Sequence, residues 1–152
     1  MLKEGDKAPV FKGLNQDDKE ISLSDFSGKK VILYFYPKDN TPGCTAESCN
    51  LSESYDDLTA KGFEVIGVSP DSIQSHQKFI TKHNLRFNLI ADTEKEILQQ
   101  YDAWGLKKLY GKEYMGVLRK TFVIDENGLI IKIFEKVKTK DHTNQILTEM
   151  GL

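Results

Sequence analysis

Long apolar runs, prolines and cysteines are all scarce in this chain. Its 152 residues include four prolines, two cysteines, three histidines and one tryptophan. The longest unbroken apolar stretch, residues 31–36, falls far short of the roughly 20 residues needed to cross a bilayer. Residues 1–6 lack the apolar core of a secretory signal, so the expectation is a cytoplasmic protein with nothing to remove. An excess of one charge is missing too. Against 23 Asp and Glu stand 21 Lys and Arg, a net charge of −2, and no basic tract offers a footprint for nucleic acid or an anionic membrane. Two cysteines are too few for the disulfide framework of a small secreted domain, and a chain of this length buries enough surface to fold without one. Cys44 and Cys49 therefore need another explanation. The bland one is burial, because free cysteine is among the most buried residue types.

No repeat, low-complexity tract or shift of composition divides the chain, so one domain over residues 1–152 is expected. Residues 30–36 are β-branched and aromatic, apolar on both alternating faces and stopped by Pro37, as a central strand covered on both sides should be. Residues 63–69 and 87–91 read as further strands separated by helical patterns, the β-α-β rhythm of a parallel sheet. Residues 121–125 and 129–135 flank Glu126-Asn127-Gly128, a hairpin signal. The spacing predicts a helix over 43–61 stopped by Gly62, and another over 72–83 with Ile73, Gln77 and Ile80 on one face. Thr93 and Glu96 form a capping box ahead of Ile97, Leu98 and Tyr101, and a last helix over 141–150 buries Ile146, Leu147 and Met150. Short apolar stretches at residues 10–11 and 21–23 suggest a small N-terminal hairpin. The order resembles an α/β thioredoxin fold with an N-terminal β extension and insertions, a central mixed sheet flanked by helices.

Other signals are weak. His76 and His83 lie one heptad apart and are read as solvated or packing residues. With only His142 besides, no cysteine and histidine spacing matches a zinc site, and no metal is predicted. Neither G-x-G-x-x-G nor G-x-x-x-x-G-K-[ST] occurs, so no nucleotide cofactor is expected. Gly105, Gly111 and Gly116 punctuate an expected loop. Its Trp104, Leu109, Tyr110, Tyr114 and Met115 either line a pocket, dock a partner or serve as plain hydrophobic cover, while Lys107, Lys108 and Lys112 form a solvated face.

The segment Pro37-Lys38-Asp39-Asn40-Thr41-Pro42-Gly43-Cys44 leaves the central strand and delivers Cys44 to the first turn of a helix, the kind of crossing where open α/β sheets place ligands. Unpaired N–H groups and the helix dipole there favour a thiolate over a thiol. Leu51, Tyr55 and Leu58 fall within about 40° of Cys44 on the helical wheel, so the cysteine opens the stripe that faces the core. Cys49 is five residues on, about 140° around and with its Cα roughly 8 to 9 Å away in an intact helix, whereas a disulfide needs less than about 7 Å. Any bond between them requires the helix to unwind. Glu47 is read as a dipole partner in the first turn rather than as a catalytic group.

The string Pro37-x-x-x-Thr41-x-x-Cys44 resembles the active-site signature of peroxiredoxins, and a second cysteine five positions later resembles the bacterioferritin comigratory protein, or peroxiredoxin Q, subgroup. The likeness extends through Gly5-Asp6-x-Ala8-Pro9-x-Phe11, Tyr34-Phe35-Tyr36-Pro37, Trp104-Gly105, Gly111-Lys112 and Gly116-x-x-Arg119. It implies a thiol peroxidase acting on hydrogen peroxide and organic hydroperoxides, with a thioredoxin-type dithiol as reductant. It also implies Pro37, Thr41, Cys44 and Arg119 as active-site residues and Cys49 as the resolving thiol. Arg119 lies 75 residues from Cys44. In a thioredoxin fold the strand after it runs antiparallel to residues 30–36, which brings the two together. A monomer is expected, with a dimer as the alternative. Two rival readings are a thiol-disulfide oxidoreductase, against which the missing C-x-x-C weighs, and a non-enzymatic thioredoxin-like binding module.

Overall fold

The computed structural model describes residues 1–152. At its centre is β3 (Lys30–Phe35), the run of branched and aromatic residues. It pairs in parallel with β4 (Phe63–Ser69), which pairs in parallel with β5 (Asn88–Ala91). On its other side β3 pairs antiparallel with β8 (Lys120–Ile124), which turns back into β9 (Ile130–Phe134). The five-stranded sheet thus runs β5-β4-β3-β8-β9. Alternation along β3 sorts its side chains between two cores. Val31, Leu33 and Phe35 join one with Ile66, Ile90 and Phe122, under Ile97, Leu98 and Tyr101 of the opposite layer. Ile32, Tyr34 and Tyr36 join the other with Val65, Val123, Leu51, Phe79 and Ile146.

Helices α1 (Pro42–Glu53), α2 (Tyr55–Ala60), α3 (Ile73–His83) and α5 (His142–Glu149) contribute to the second core, and α4 (Glu96–Gln100) to the first. A two-stranded extension, β1 (Lys12–Leu14) with β2 (Glu20–Ser22), precedes the sheet. This is the thioredoxin-like arrangement with an N-terminal β extension and a central mixed sheet.

Four details depart from the sequence reading. The helix expected over 43–61 breaks at Ser54 (φ −96°, ψ 8°). There is no proline or glycine at the break. Tertiary bonds take over instead, with Ser52 Oγ accepting from Arg86 N at 3.1 Å and Tyr55 donating to Glu64 Oε1 at 2.8 Å. Thr93 does not cap α4. The Asp92 carboxylate does, accepting from the backbone N–H of Ile97 and Leu98 at 3.2 and 2.8 Å. In α3 the buried face is His76 and Phe79, and Gln77 is exposed. The expected loop after Trp104 is a hairpin, β6 (Trp104–Leu109) with β7 (Lys112–Val117). Its two-residue turn, Tyr110-Gly111, has positive φ at both positions (51° and 77°), a turn type that sequence signals tie to Asn-Gly or Asp-Gly. Tyr110 is 96% exposed.

Two buried histidines tie helices to the sheet, and neither is solvated. His76 Nδ1 lies 2.7 Å from Asp39 Oδ2 and its Nε2 lies 3.0 Å from the Ile90 carbonyl. Asp39 also accepts from the Tyr36 hydroxyl (2.6 Å) and Ser75 hydroxyl (2.8 Å), and its N–H donates to Asp71 Oδ2 (2.8 Å). The turn between β3 and α1 is thereby pinned to α3. His142, at the start of α5, has Nδ1 2.9 Å from Gln145 Oε1 and Nε2 2.8 Å from Thr121 Oγ1 of β8.

Two stability predictions follow from these ties. His76→Phe takes one of three side-chain partners from the buried Asp39 carboxylate and the ring partner from the Ile90 carbonyl, so urea unfolding should show a loss of about 1–3 kcal/mol. An unchanged midpoint would remove the clamp from the account. Burial lowers the His142 pKa from 6.5 to about 4, with Arg119 pulling the same way and Gln145 opposing. His142 therefore binds fewer protons in the folded protein than in the unfolded chain between those values, and its own contribution to stability falls as pH drops from about 6.5 to about 4, by about 3 kcal/mol at most. Glu47, whose pKa burial raises from 4.5 to about 7, contributes in the opposite sense. The stability of His142→Gln relative to wild type should therefore rise as pH drops across this range in pH-dependent denaturation curves.

Candidate active site

After β3 the chain passes through Tyr36 and Pro37 and turns at Asn40 (φ 61°). Thr41 is the N-cap of α1 and Pro42 its first residue. Proline suits that position because its missing N–H is one the helix cannot pair. Cys44 follows in the first turn, with the cysteine, Leu51 and Leu58 buried along one stripe as the helical wheel requires.

Antiparallel pairing sets Tyr34 opposite Thr121 and Phe35 opposite Lys120. Arg119, one residue earlier, therefore arrives beside the end of β3. Its Nη2 donates to Cys44 Sγ at 3.2 Å and its Nη1 to Glu47 Oε1 at 2.6 Å. Cys44 is only 1% exposed. Burial works against the Arg119 charge, but Glu47 and Cys44 outweigh it and hold the guanidinium pKa up. A fixed fork of donors on a screened sulfur is suited to an anionic sulfur and to negative charge developing on an atom bound beside it.

Glu47 is the residue the sequence reading undervalued. It lies in the second turn of α1, fully buried, and not in the first turn at a solvated dipole position. Burial pushes its pKa up from 4.5 to about 7, with Arg119 pulling the other way. Its other oxygen, Oε2, has no hydrogen-bond partner and lies 3.7 Å from His142 Nε2. The available signal was spacing, since a residue three places after Cys44 shares its helix face.

The remaining expected residues are arranged unevenly. The Thr41 hydroxyl donates to the Lys38 carbonyl at 2.8 Å, which leaves its lone pairs to accept. Pro37 is half-buried between β3 and this turn. Cys49 shares α1 with Cys44, and both thiols are free. Cys49 opens on a separate cleft of about 270 Å³ with Ser52, Glu53, His83, Asn84 and Arg86. Burial, then Glu53, pushes its pKa up. The one grouping with metal-ligand geometry is Asp39, Asp71 and His76, whose facing atoms lie within 4.8 Å of one another. Those atoms are occupied by the hydrogen bonds of the Asp39 clamp.

Comparison with known proteins gives this geometry its context. Residues 4–133 match the AhpC/TSA family. The chain is 48% identical over 143 residues to peroxiredoxin Bcp of Bacillus subtilis, covering 94% of this chain and 91% of that one. It is 40% identical over 146 residues to peroxiredoxin Bcp of Escherichia coli, covering 96% and 94%. A cysteine-to-serine mutant of PrxQ from Xylella fastidiosa superposes with a TM-score of 0.92 at 28% identity, covering 99% and 96%. A mutant peroxiredoxin Q from Xanthomonas campestris does so at 0.87 and 30%, covering 93% and 90%. With the cysteine at the head of its helix and the arginine upon it, the chain belongs to the AhpC/TSA family, among the Bcp and PrxQ peroxiredoxins, and is a thiol-dependent peroxidase.

Proposed function

We propose that Cys44 is the thiolate that attacks hydrogen peroxide or an organic hydroperoxide, with Thr41, Arg119 and Pro37 forming the pocket. The observation that carries this is the donation from Arg119 Nη2 to Cys44 Sγ at 3.2 Å. The sulfur attacks one peroxide oxygen, the O–O bond breaks, and negative charge moves onto the departing oxygen, where the guanidinium neutralises it. The Thr41 hydroxyl, its proton committed to Lys38, accepts from the peroxide O–H and orients it. Pro37 shapes and shields the mouth.

Cys44 becomes a sulfenic acid, and Cys49 condenses with it to a disulfide with loss of water. Within α1 the two thiols face different surroundings, so the first turns of the helix must unwind for this step. An external dithiol of thioredoxin type restores both thiols by exchange. A structure of the Xanthomonas campestris bacterioferritin comigratory protein is described in terms of alkyl peroxide reduction, which favours organic hydroperoxides here as well. Two unpaired cysteines fit a reducing, cytoplasmic setting, and no helix is long and apolar enough to cross a membrane. The reading draws both reacting thiols from one chain, so it is complete in a monomer.

Thiol counting tests the chemistry. Each equivalent of peroxide should remove two thiols in the wild type and leave a sulfenic acid in Cys49→Ser, while Cys44→Ser should consume peroxide slower by a factor on the order of 10³ or more. A Cys44→Ser protein as fast as wild type would end the assignment. Efficient reduction of protein disulfides with slow peroxide turnover would instead favour a disulfide exchanger. For the helix step, amide hydrogen exchange over residues 44–52 should be faster in the disulfide form than in the dithiol form. Equal protection in the two states would contradict it.

A further inference from the structure

Glu47 has more to do than hold Arg119. Every other buried side-chain oxygen or nitrogen in the protein has a partner, and Glu47 Oε2 has none. Each group that faces Glu47 is already defined. From α5, His142 points Nδ1 at the Gln145 carbonyl oxygen, so its proton sits there and bare Nε2 accepts from the Thr121 hydroxyl. Burial keeps that ring neutral, with a pKa of about 4. From β3, Tyr34 is buried and neutral, hydrogen-bonded to Ser48. From the residue before β8, Arg119 brings the one full positive charge, and it divides its two terminal nitrogens between Glu47 and Cys44. A carboxylate in this position would turn one oxygen toward no donor, whereas a carboxylic acid places its proton there. Two anions on a single buried cation would leave one of them uncompensated.

Building on the reading of Cys44 as the attacking thiolate, we infer that Glu47 stores the proton the peroxidase reaction consumes, protonated while Cys44 is a thiolate and ionised once the sulfur is neutral. The step balances. Cys44–S⁻, ROOH and Glu47–CO₂H become Cys44–SOH, ROH and Glu47–CO₂⁻. An S–O bond forms and the O–O bond breaks, the sulfur is oxidised by two electrons and the peroxide is reduced by two, and the departing RO⁻ takes up the proton. Before and after, one anion faces one guanidinium. Glu47 touches Arg119 and not the sulfur, so it is a positioning and charge-compensating residue. Glu47 is itself fully buried, so the inference requires its carboxyl to turn the proton toward Arg119, whose side chain is 24% exposed, for transfer to the departing oxygen. Burial, against the pull of Arg119, pushes the carboxyl pKa up to about 7, which places the exchange within reach of ordinary conditions. Thiol–disulfide reduction would reverse it, returning a proton to Glu47 as the thiolate reappears.

Difference infrared spectroscopy reads the proton directly. At about pH 6 the reduced protein should show the C=O stretch of one protonated carboxyl that Glu47→Gln lacks. In Cys49→Ser, which stops at the sulfenic acid without the disulfide that unwinds α1, one equivalent of hydrogen peroxide should remove that band and raise carboxylate bands in its place. In weak buffer with a pH indicator, wild type should take up almost no protons per Cys44 oxidised, and Glu47→Gln about one. Above about pH 8, where Glu47 is already ionised, wild type should also take up about one. The inference is overturned if the carboxyl band survives oxidation that thiol titration confirms, or if wild type and Glu47→Gln take up the same number of protons at about pH 6. The infrared arm stands on Cys49→Ser alone should Glu47→Gln fold poorly. Thiols that survive peroxide would defeat the peroxidase reading, and this inference with it, and are told apart from the first outcome by the same titration.

Discussion

The site hangs on one guanidinium reaching two side chains of one helix, the first of them, Cys44, 75 residues earlier. That reach depends on both register and parity. The antiparallel pairing of β3 with β8 places the start of one strand at the end of the other. Alternation along β8 then selects the face. Thr121 and Val123 point into the layer that holds α1 and α5, while Phe122 and Ile124 point into the opposite core. Arg119 has the parity of Thr121, so it lies over α1. A slip of one residue would swing every side chain to the other face and remove the cation from the sulfur. The apolar continuity of β3, with large residues on both faces, is what forbids the slip. The same packing permits no side chain where β4 crosses Tyr34, because a Cβ on Gly67 would come within 2.8 Å of the Tyr34 ring and 2.7 Å of Leu89.

Patterns of apolar residues made the strands of the sheet legible in the sequence. β3 declares itself by composition and Cys44 by the turn before it, whereas the antiparallel strand beside β3 and the role of Arg119 ahead of it are implied by the thioredoxin and peroxiredoxin resemblance. Buried polar residues were not legible, because their composition is that of surface. Glu47, His76, Asp39 and His142 are all polar residue types that composition assigns to solvent, although Glu47 shares the face of α1 that carries Cys44 and Leu51. Each is buried through partners remote in sequence, such as Asp39 with His76 and His142 with Thr121. The break at Ser54 and the cap at Asp92 were hidden for a related reason, since tertiary bonds override local signals there. Tyr110-Gly111 lies outside the common turn vocabulary, and the hairpin it closes was invisible.

On the proposed chemistry helix α1 must satisfy two opposed demands. Holding Cys44 beneath Arg119 calls for a formed first turn, whereas joining Cys44 to Cys49 calls for that turn to dissolve. The break at Ser54 reconciles them. Residues beyond it are anchored independently, by Leu58 in the core and by Tyr55 on Glu64. Unwinding of α1 therefore need not carry α2 with it. Within α1 the ties to the body are mostly polar bonds. Ser48 meets Tyr34 at 2.8 Å, Asn50 Oδ1 accepts from Thr143 N at 2.8 Å, and Ser52 accepts from Arg86 N at 3.1 Å. Each is a bond that water can replace at a net cost of about 1 kcal/mol. The apolar stripe is thin by comparison, with Cys44 and Leu51 its buried apolar members in α1. On the proposed chemistry the sulfenic acid is neutral, so the charge that Arg119 holds passes from Cys44 in the first turn of α1 to Glu47 in the second, and the first turn is the part left free to open.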